Sequence, residues 1–298
     1  MMSDSDSINK KDQAWRIDSE TGVLRDVLMC KPDHYTWLPN CETAIKSLEK
    51  GLIFDHQRAM DQHRQLSDRI TESGAMIHWL DTASALPDLC WTRDSSHMTP
   101  WGALITRLTE AVRADEHRQV EAFFRDAGQT IWHQIDQGNV EGGDIHFICP
   151  GLAVFGYSGV RTTQEGAQQL ADWVVKEGWE VRLQAVDPKF VHLDVVFCMA
   201  AEGLAVVCEE ALGTEFTAWL RDRGIRGINV SASEAMKLGC NLLALGNERV
   251  IVPEHCSTVR DQLRAEGLDV ISVELDMFTL DGGGVHCLTQ PLSRELLK

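Results

Sequence analysis

A cassette that recurs five times along the chain of 298 residues restricts the possible folds more than any other feature of the sequence. Each copy contains an amphipathic helical pattern, a short charged segment that ends in glycine, and alternating apolar residues typical of a strand. The glycines stand at positions 74, 128, 178, 224 and 267. Because glycine ends a helix in the left-handed conformation at little cost, each copy predicts a helix, a tight stop and a strand.

A further strand is predicted before each of these helices. Apolar runs cover residues 103–106, 152–157, 204–208 and 249–253, and the first copy has the segment 23–32 in this place. Repeats that fill the whole chain favour a closed ring over an open stack. We therefore predict an α/β fold, a five-bladed α/β propeller with pseudo-fivefold ββαβ repeats. An ordinary doubly wound α/β sheet is the alternative, but no glycine-rich phosphate motif follows any predicted strand.

Charge and composition narrow the class of protein. Acidic residues outnumber basic ones by 45 to 28, a formal net charge of −17, which opposes binding to nucleic acid or to an anionic membrane. The nine cysteines form no Cys-x-x-Cys pair, and the sequence has neither a secretory signal nor an apolar run of about 18 residues. We expect a cytoplasmic protein with reduced thiols, a disordered tail at residues 1–14 and a single domain at residues 15–298.

Chemically reactive side chains follow the strand after each of the five glycines. They occur in five segments, here called the site segments: residues 86–94, 138–144, 192–194, 239–241 and 281–287. In a ring of repeats, equivalent positions lie near the axis. The side chains expected to converge there are Asp94, Glu141, His192 with Asp194, Asn241, and Cys287.

These residue types indicate a cysteine enzyme with a cationic substrate. A thiol can act as a nucleophile, and an imidazole that titrates near neutrality can act as acid and base. Three carboxylates nearby would raise the pKa of the thiol unless a cation neutralised them, and paired carboxylates bind a planar guanidinium well. The pattern therefore predicts chemistry at a guanidino carbon. A cysteine peptidase is an alternative that leaves the acids unexplained, and each residue taken alone could be structural.

Four motifs in the site segments resemble those of the guanidino-group-modifying superfamily, which includes arginine deiminases, dimethylarginine dimethylaminohydrolases and amidinotransferases. They are WTRD at 91–94, EGGD at 141–144, HLD at 192–194 and GGGVHCLTQPL at 282–292. The resemblance extends from about residue 16 to 295. It implies the pentein fold, a five-bladed propeller that forms one catalytic domain.

The resemblance also implies a role for each motif residue. Cys287 would attack the guanidinium carbon, and His192 would protonate the departing amine and then activate water. Asp94 and Asp194 would hold the guanidinium nitrogens, and Glu141 would assist His192.

Three further positions match residues that bind an amino-acid substrate in the superfamily. Arg113 and Arg161 match arginines that bind the substrate carboxylate, and Asp88 matches the position that contacts the α-amino group. Neither a metal nor an organic cofactor is implied. The expected partner is a small guanidino compound, and a homo-oligomer is left open.

The motifs favour one activity within the superfamily. The HLD motif, where dimethylarginine hydrolases resemble HLK, suits an unsubstituted guanidinium. We therefore predict an arginine deiminase-like amidinohydrolase that releases ammonia and citrulline through a covalent thiouronium intermediate. The alternatives are an arginine dihydrolase that continues to ornithine, a dimethylarginine dimethylaminohydrolase, an agmatine deiminase-like enzyme, an amidinotransferase, and a catalytically silent propeller that only binds.

Overall fold

Five three-stranded sheets, described for residues 14–297 in a computed structural model, form the framework of the protein. In four of them the first two strands form an antiparallel pair and the third is parallel to the second across a helix. Their strands are β3 (Ser96–Thr99), β4 (Gly102–Ile105) and β5 (Ile131–Gln134); β6 (Ile145–Cys149), β7 (Leu152–Tyr157) and β8 (Glu180–Ala185); β9 (Phe197–Ala201), β10 (Leu204–Val207) and β11 (Arg226–Asn229); β12 (Leu243–Gly246), β13 (Arg249–Pro253) and β14 (Asp269–Val273).

The remaining sheet combines strands from the two ends of the described chain. Its central strand β1 (Leu24–Cys30) is parallel to β2 (Met76–Leu80) and antiparallel to β15 (Gln290–Arg294). Neighbouring sheets contact one another, because β15 lies against β3, and β12 lies against both β9 and β1. The architecture is a mixed α/β fold of repeated small sheets. The predicted tail at residues 1–14 lies, except for residue 14, outside the described residues.

One helix in each repeat connects the central strand to the third strand. These helices are α2 (His56–Glu72), α3 (Glu116–Asp126), α4 (Gln164–Lys176), α6 (Thr214–Arg221) and α8 (Ser257–Ala265). The other helices are α1 (Glu42–Glu49), α5 (Glu209–Leu212), α7 (Ala232–Ala235) and α9 (Asp276–Thr279). The glycines of the five cassettes all follow the connecting helices with φ between 68° and 96°, so the predicted helix, stop and strand are confirmed.

Apolar side chains bury four of the five central strands on both faces. Every residue of β4 and β10 is buried, and β7 and β13 are buried apart from Tyr157 and Arg249 at their ends. Such continuous burial explains why these strands appear in the sequence as unbroken apolar runs. Among residues 14–297, none of the helices combines the length and apolar character that crossing a membrane requires.

The site segments lie next to one strand of each sheet. Each site segment ends within three residues of the start of β3, β6, β9, β12 or β15, the strand that pairs antiparallel with the central strand. Equivalent points of the five sheets therefore carry the reactive side chains, as the repeat pattern predicted.

Candidate active site

Hydrogen bonds connect the five site segments in a closed cycle. Each segment donates one bond to the segment before it, and the first donates to the last, over distances from 2.7 to 3.4 Å. The bonds are Arg93 N to Cys287 O, Gly142 N to Asp94 O, Leu193 N to Asp144 Oδ1, Asn241 Nδ2 to Asp194 O, and His286 N to Asn241 Oδ1. Because main-chain atoms take part in all five bonds, the segments are fixed relative to one another.

A cavity opens beside this cycle. Six of the eight predicted site residues line it: Asp88, Asp94, Arg113, Arg161, His192 and Cys287. The other two, Glu141 and Asp194, are completely buried behind the wall.

Cys287 reaches the cavity because the glycines before it allow close packing. A Cβ atom on Gly283 would overlap the ring of Trp91, and one on Gly284 would lie 2.6 Å from Asn241 Oδ1. The Asn241 amide donates to the Cys287 Sγ at 3.2 Å. Burial and the neighbouring carboxylates raise the pKa of the Cys287 thiol well above its usual value. The thiol therefore needs a change in its surroundings before it reacts.

His192 is held as a cation between carboxylates. Its Nε2 lies 2.8 Å from Glu141 Oε2, and its Nδ1 lies 3.8 Å from Asp94 Oδ1. A Cβ atom on Gly143 would lie 2.7 Å from Nδ1, which explains the glycine in the EGGD motif. Burial lowers the pKa of His192, but Asp94, Glu141 and Asp144 outweigh that effect and raise it to about 10.

Glu141 is the ionised partner of His192. Its Oε1 accepts a bond from the main-chain N–H of Thr109 at 3.0 Å, and Arg161 Nη1 lies 3.5 Å from Oε2. Burial alone would raise the pKa of Glu141, yet the bond from His192 and the charges of His192 and Arg161 lower it to about 2. The carboxylate therefore favours the protonated imidazole at neutral pH.

Asp94 and Arg113 form a buried ion pair at the cavity wall. Arg113 Nη1 donates to Asp94 Oδ2 at 2.8 Å, and Nε and Nη2 bind Glu116 at 2.8 and 3.0 Å. Burial opposes the charge of Arg113, but Glu116 and Asp94 raise its pKa further above the usual value. Asp94 Oδ1 is buried and has no hydrogen-bond partner within residues 14–297. Glu116 was not predicted, although its spacing of three residues from Arg113 was visible in the sequence.

Arg161 and Asp88 lie against the same loop. Arg161 Nη2 donates to the main-chain oxygen of Asn40 at 2.8 Å, and the Asn40 amide donates to Asp88 Oδ2 at 3.2 Å. Burial raises the pKa of Asp88, while Arg113 and Arg161 oppose that rise. The other oxygen of Asp88, Oδ1, is buried without a hydrogen bond in the described part of the chain. One end of the cavity thus offers both cationic and anionic groups.

Asp281 is a cavity residue that sequence reasoning missed. Its Oδ2 accepts a bond from the Tyr35 hydroxyl at 2.8 Å, and its buried Oδ1 has no such partner in the described chain. Burial raises the pKa of Asp281 well above its usual value. The only signal in the sequence was its position directly before the three glycines.

Asp194 lies beneath the nucleophile. Its Oδ2 accepts bonds from the Cys287 thiol at 3.4 Å and from His286 Nδ1 at 2.9 Å. Its Oδ1 is buried and, among the residues described, has no donor. The predicted role of Asp194 as a guanidinium ligand stays a prediction that rests on this second oxygen.

In the described part of the chain, two clusters combine the residue types that bind metals. Asp94, Glu141 and His192 form one, and His146, Cys198 and His286 form the other, with ligand-type atoms within 4.8 Å of one another in each. In the first, the cations Arg113 and Arg161 already neutralise the carboxylates, which disfavours a metal ion. In the second, His286 is already bonded to Asp194.

Comparison with known proteins identifies the family. The family described as N,N dimethylarginine dimethylhydrolase, eukaryotic, matches residues 41–294. The chain is 28% identical over 279 residues to the uncharacterized protein YkgA of Bacillus subtilis, covering 93% of this chain and 94% of that protein. It is 26% identical over 235 residues to the N(G),N(G)-dimethylarginine dimethylaminohydrolase of Mycobacterium tuberculosis, covering 79% and 76%.

A third relative is the bifunctional arginine dihydrolase/ornithine cyclodeaminase ArgZ of a Synechocystis species. It is 25% identical over 276 residues, which cover 91% of this chain but 38% of ArgZ.

Solved structures share the fold. The N-terminal domain of the cyanobacterial ArgZ superposes with a TM-score of 0.77 at 24% identity, covering 92% of this chain and 99% of that one. A dimethylarginine dimethylaminohydrolase of Pseudomonas aeruginosa, complexed with citrulline, gives 0.74 at 22% identity, covering 90% and 99%. The chain therefore belongs to the N,N dimethylarginine dimethylhydrolase family of the guanidino-group-modifying superfamily, and it is a hydrolase of C–N bonds in linear amidines.

Proposed function

We propose that this hydrolase removes ammonia from the guanidino group of free arginine or a close relative, with Cys287 as the covalent nucleophile. The observation that carries the proposal is the arrangement of the Cys287 thiol, the His192 imidazole and the Asp94 carboxylate around one cavity. A thiol, an acid and an anionic anchor are the groups that substitution at a guanidinium carbon requires.

The carboxylates supply the recognition of a cation. Asp94 Oδ1 and Asp194 Oδ1 are both buried and lack a hydrogen bond within the described residues, so each needs a donor. A guanidinium offers five N–H groups in a plane and can satisfy both. We propose that the substrate binds between these two oxygens, with its carbon facing the Cys287 sulfur.

The protonation states fit a two-step hydrolysis. The bound cation lowers the pKa of the Cys287 thiol, the thiol loses its proton to solvent, and the thiolate adds to the guanidinium carbon. His192 is protonated at neutral pH, because its pKa is raised to about 10, and it gives this proton to the departing ammonia. The neutral imidazole then removes a proton from water, and the water oxygen attacks the S-alkyl thiouronium carbon. The C–S bond of this adduct breaks, its hydroxyl proton moves to the departing sulfur, and the ureido product and the free thiol are restored. No external cofactor enters these steps.

The far end of the cavity fits an amino acid. We propose that Arg161 binds the substrate carboxylate, because most of the donors of Arg113 are already held by Glu116 and Asp94. The unpaired oxygens of Asp88 and Asp281 in the described chain favour an ammonium group beside it. These groups support arginine over agmatine, which lacks a carboxylate.

We further propose that the five sheets are the blades of a closed propeller that forms one catalytic domain. The cycle of hydrogen bonds among the site segments supports this arrangement, since each repeat contacts the one before it. The strand pair β1 and β15 supports closure between the first and last repeats.

Two other substrates or products remain candidates on specific grounds. The likeness to ArgZ over 91% of this chain favours a dihydrolase that continues to ornithine. The matched family favours dimethylarginine as substrate. The HLD motif is the reason to place unmethylated arginine first.

Product identification tests the proposal. The purified protein is incubated separately with arginine, N-methylated arginines, agmatine, and arginine plus glycine, and the products are identified by mass spectrometry. Citrulline with one equivalent of ammonia from arginine is expected. Ornithine with two equivalents of ammonia would assign the dihydrolase, and guanidinoacetate would overturn hydrolysis in favour of transfer. Cys287→Ser serves as the control for cysteine-dependent turnover.

A further inference from the structure

A chain of polar contacts runs from the nucleophile into the interior of the protein. Asp194 Oδ2 accepts hydrogen bonds from the Cys287 thiol at 3.4 Å and from His286 Nδ1 at 2.9 Å. On the far side of the ring, His286 Nε2 lies 3.5 Å from Glu20 Oε2, and Glu20 lies 3.6 Å from the Arg93 guanidinium. His286 has no role in the mechanism above, yet its ring lies between two carboxylates.

Water has little access to these four groups. Cys287, Asp194, His286 and Glu20 are each at most 5% exposed, so water screens their interactions little. A carboxylate beside a thiol opposes formation of the thiolate, and it does so most when no donor offsets its charge. His286 supplies such a donor. Although burial opposes it, the bond from His286 lowers the pKa of Asp194.

Several other charged or titratable groups surround the His286 ring. His146 stacks on it with ring centroids 5.3 Å apart and an angle of 11° between the planes. Arg93 Nε donates to the main-chain oxygen of His286 at 3.4 Å. Within residues 14–297 these groups are Glu20, Arg93, His97, His146, Asp194 and Cys198. Among them, Asp194 alone contacts both the imidazole and the Cys287 thiol, so it is the route by which His286 affects the nucleophile.

We propose that His286 is a positioning residue for the nucleophile. His286 fixes Asp194 against Cys287 and offsets the charge of the Asp194 carboxylate, and it thereby sets the pH range in which the Cys287 thiol reacts. The proposal rests on Cys287 being the nucleophile of the proposed function. Without the Nδ1 donor, Asp194 would carry a less compensated charge 3.4 Å from the sulfur. The thiol would then react only at higher pH.

Two substitutions separate the hydrogen bond from the rest of the imidazole. In His286→Asn, the amide nitrogen takes the place of Nδ1, at the same number of bonds from Cα, and can still donate to Asp194. In His286→Gln, the volume is nearly kept but the amide takes the place of Nε2. Cys198→Ser is the matched control, because the Cys198 thiol donates to the main-chain oxygen of Asp194, at 3.6 Å, and not to its carboxylate.

Alkylation of Cys287 without substrate measures the effect directly. Each variant reacts with iodoacetamide from pH 6 to 10, and mass spectrometry follows the peptide that contains Cys287, with Cys287→Ala as the background. We expect His286→Gln to shift the profile by about one pH unit to the alkaline side, equivalent to about tenfold slower alkylation at pH 8. His286→Asn should recover part of the shift, and Cys198→Ser should coincide with the wild type.

Folded Gln and Asn variants whose profiles both coincide with the wild type would overturn the proposal. A shift of equal size in Cys198→Ser would also overturn it, because the effect would then not depend on the Asp194 carboxylate. The result is independent of turnover. If no guanidino compound were hydrolysed, the proposed function would fail while the alkylation profiles still decided the role of His286.

Discussion

Replacement of Arg161 by alanine tests how the cavity recognises its substrate. The Arg161 guanidinium has five N–H groups, of which one donates to Asn40 O at 2.8 Å. Its contacts to Glu110 and Glu141, at 3.6 and 3.5 Å, are longer than ordinary hydrogen bonds. Donors are therefore left to bind a substrate carboxylate. A hydrogen bond to a charged group contributes about 1.5–3 kcal/mol, which corresponds to a factor of about 10–150 in kcat/KM.

The assay compares arginine with agmatine, which has no carboxylate. We expect Arg161→Ala to lower the ratio of their kcat/KM values by about 10–150-fold, mostly through KM for arginine. Arg161 also lies near Glu141, and any loss of activity caused through Glu141 would affect both substrates and cancel in the ratio. Arg118→Ala is the control, because its exposed guanidinium pairs with Asp115 on the surface. Equal losses for both substrates would refute the role of Arg161 as the carboxylate ligand.

Three further substitutions test other parts of the site. Cys287→Ser should abolish turnover while arginine still raises the melting temperature, and a retained rate would contradict the assignment of the nucleophile. Because the folded pKa of His192 is near 10, its pairing with Glu141 stabilises the protein fully below about pH 6.5 and is lost as the pH rises towards 10. Glu141→Gln should therefore lower the unfolding free energy by about 3 kcal/mol at pH 6.5 and by less at pH 10, and equal urea-denaturation losses at both would contradict this. Gly283→Ala should lower the unfolding free energy by about 1–3 kcal/mol, because its methyl group overlaps the Trp91 ring, and an unchanged melting temperature would contradict that packing.

Local signals explain which parts of the fold could be predicted. The helix stop at Gly74 and its four counterparts depends on the backbone conformation of one residue, so it is visible in the sequence. The buried strands β7 and β13 were visible as apolar runs. The pairing of β1 with β15 was not visible in the sequence, because it depends on which distant strand edges meet rather than on any local pattern.

In the site, too, some features were visible in the sequence and others were not. The repeat pattern correctly placed Asp94, His192 and Cys287 around one cavity, because equivalent positions of repeats share a location. It did not indicate that Arg113 would be held by Glu116, or that Asp194 would bond to His286. These pairings depend on which buried acceptors lie next to each donor, and that arrangement is set by the packing of the interior.

The pairing of β1 with β15 has a consequence for how activity appears during folding. It joins residues 24–30 to residues 290–294, and contacts between residues so far apart in sequence form slowly. Cys287 lies three residues before β15, so we expect the thiol to take its position when this strand docks. Refolding followed by activity should therefore lag behind refolding followed by helix content, and the last contact to form would be the one that completes the reactive centre.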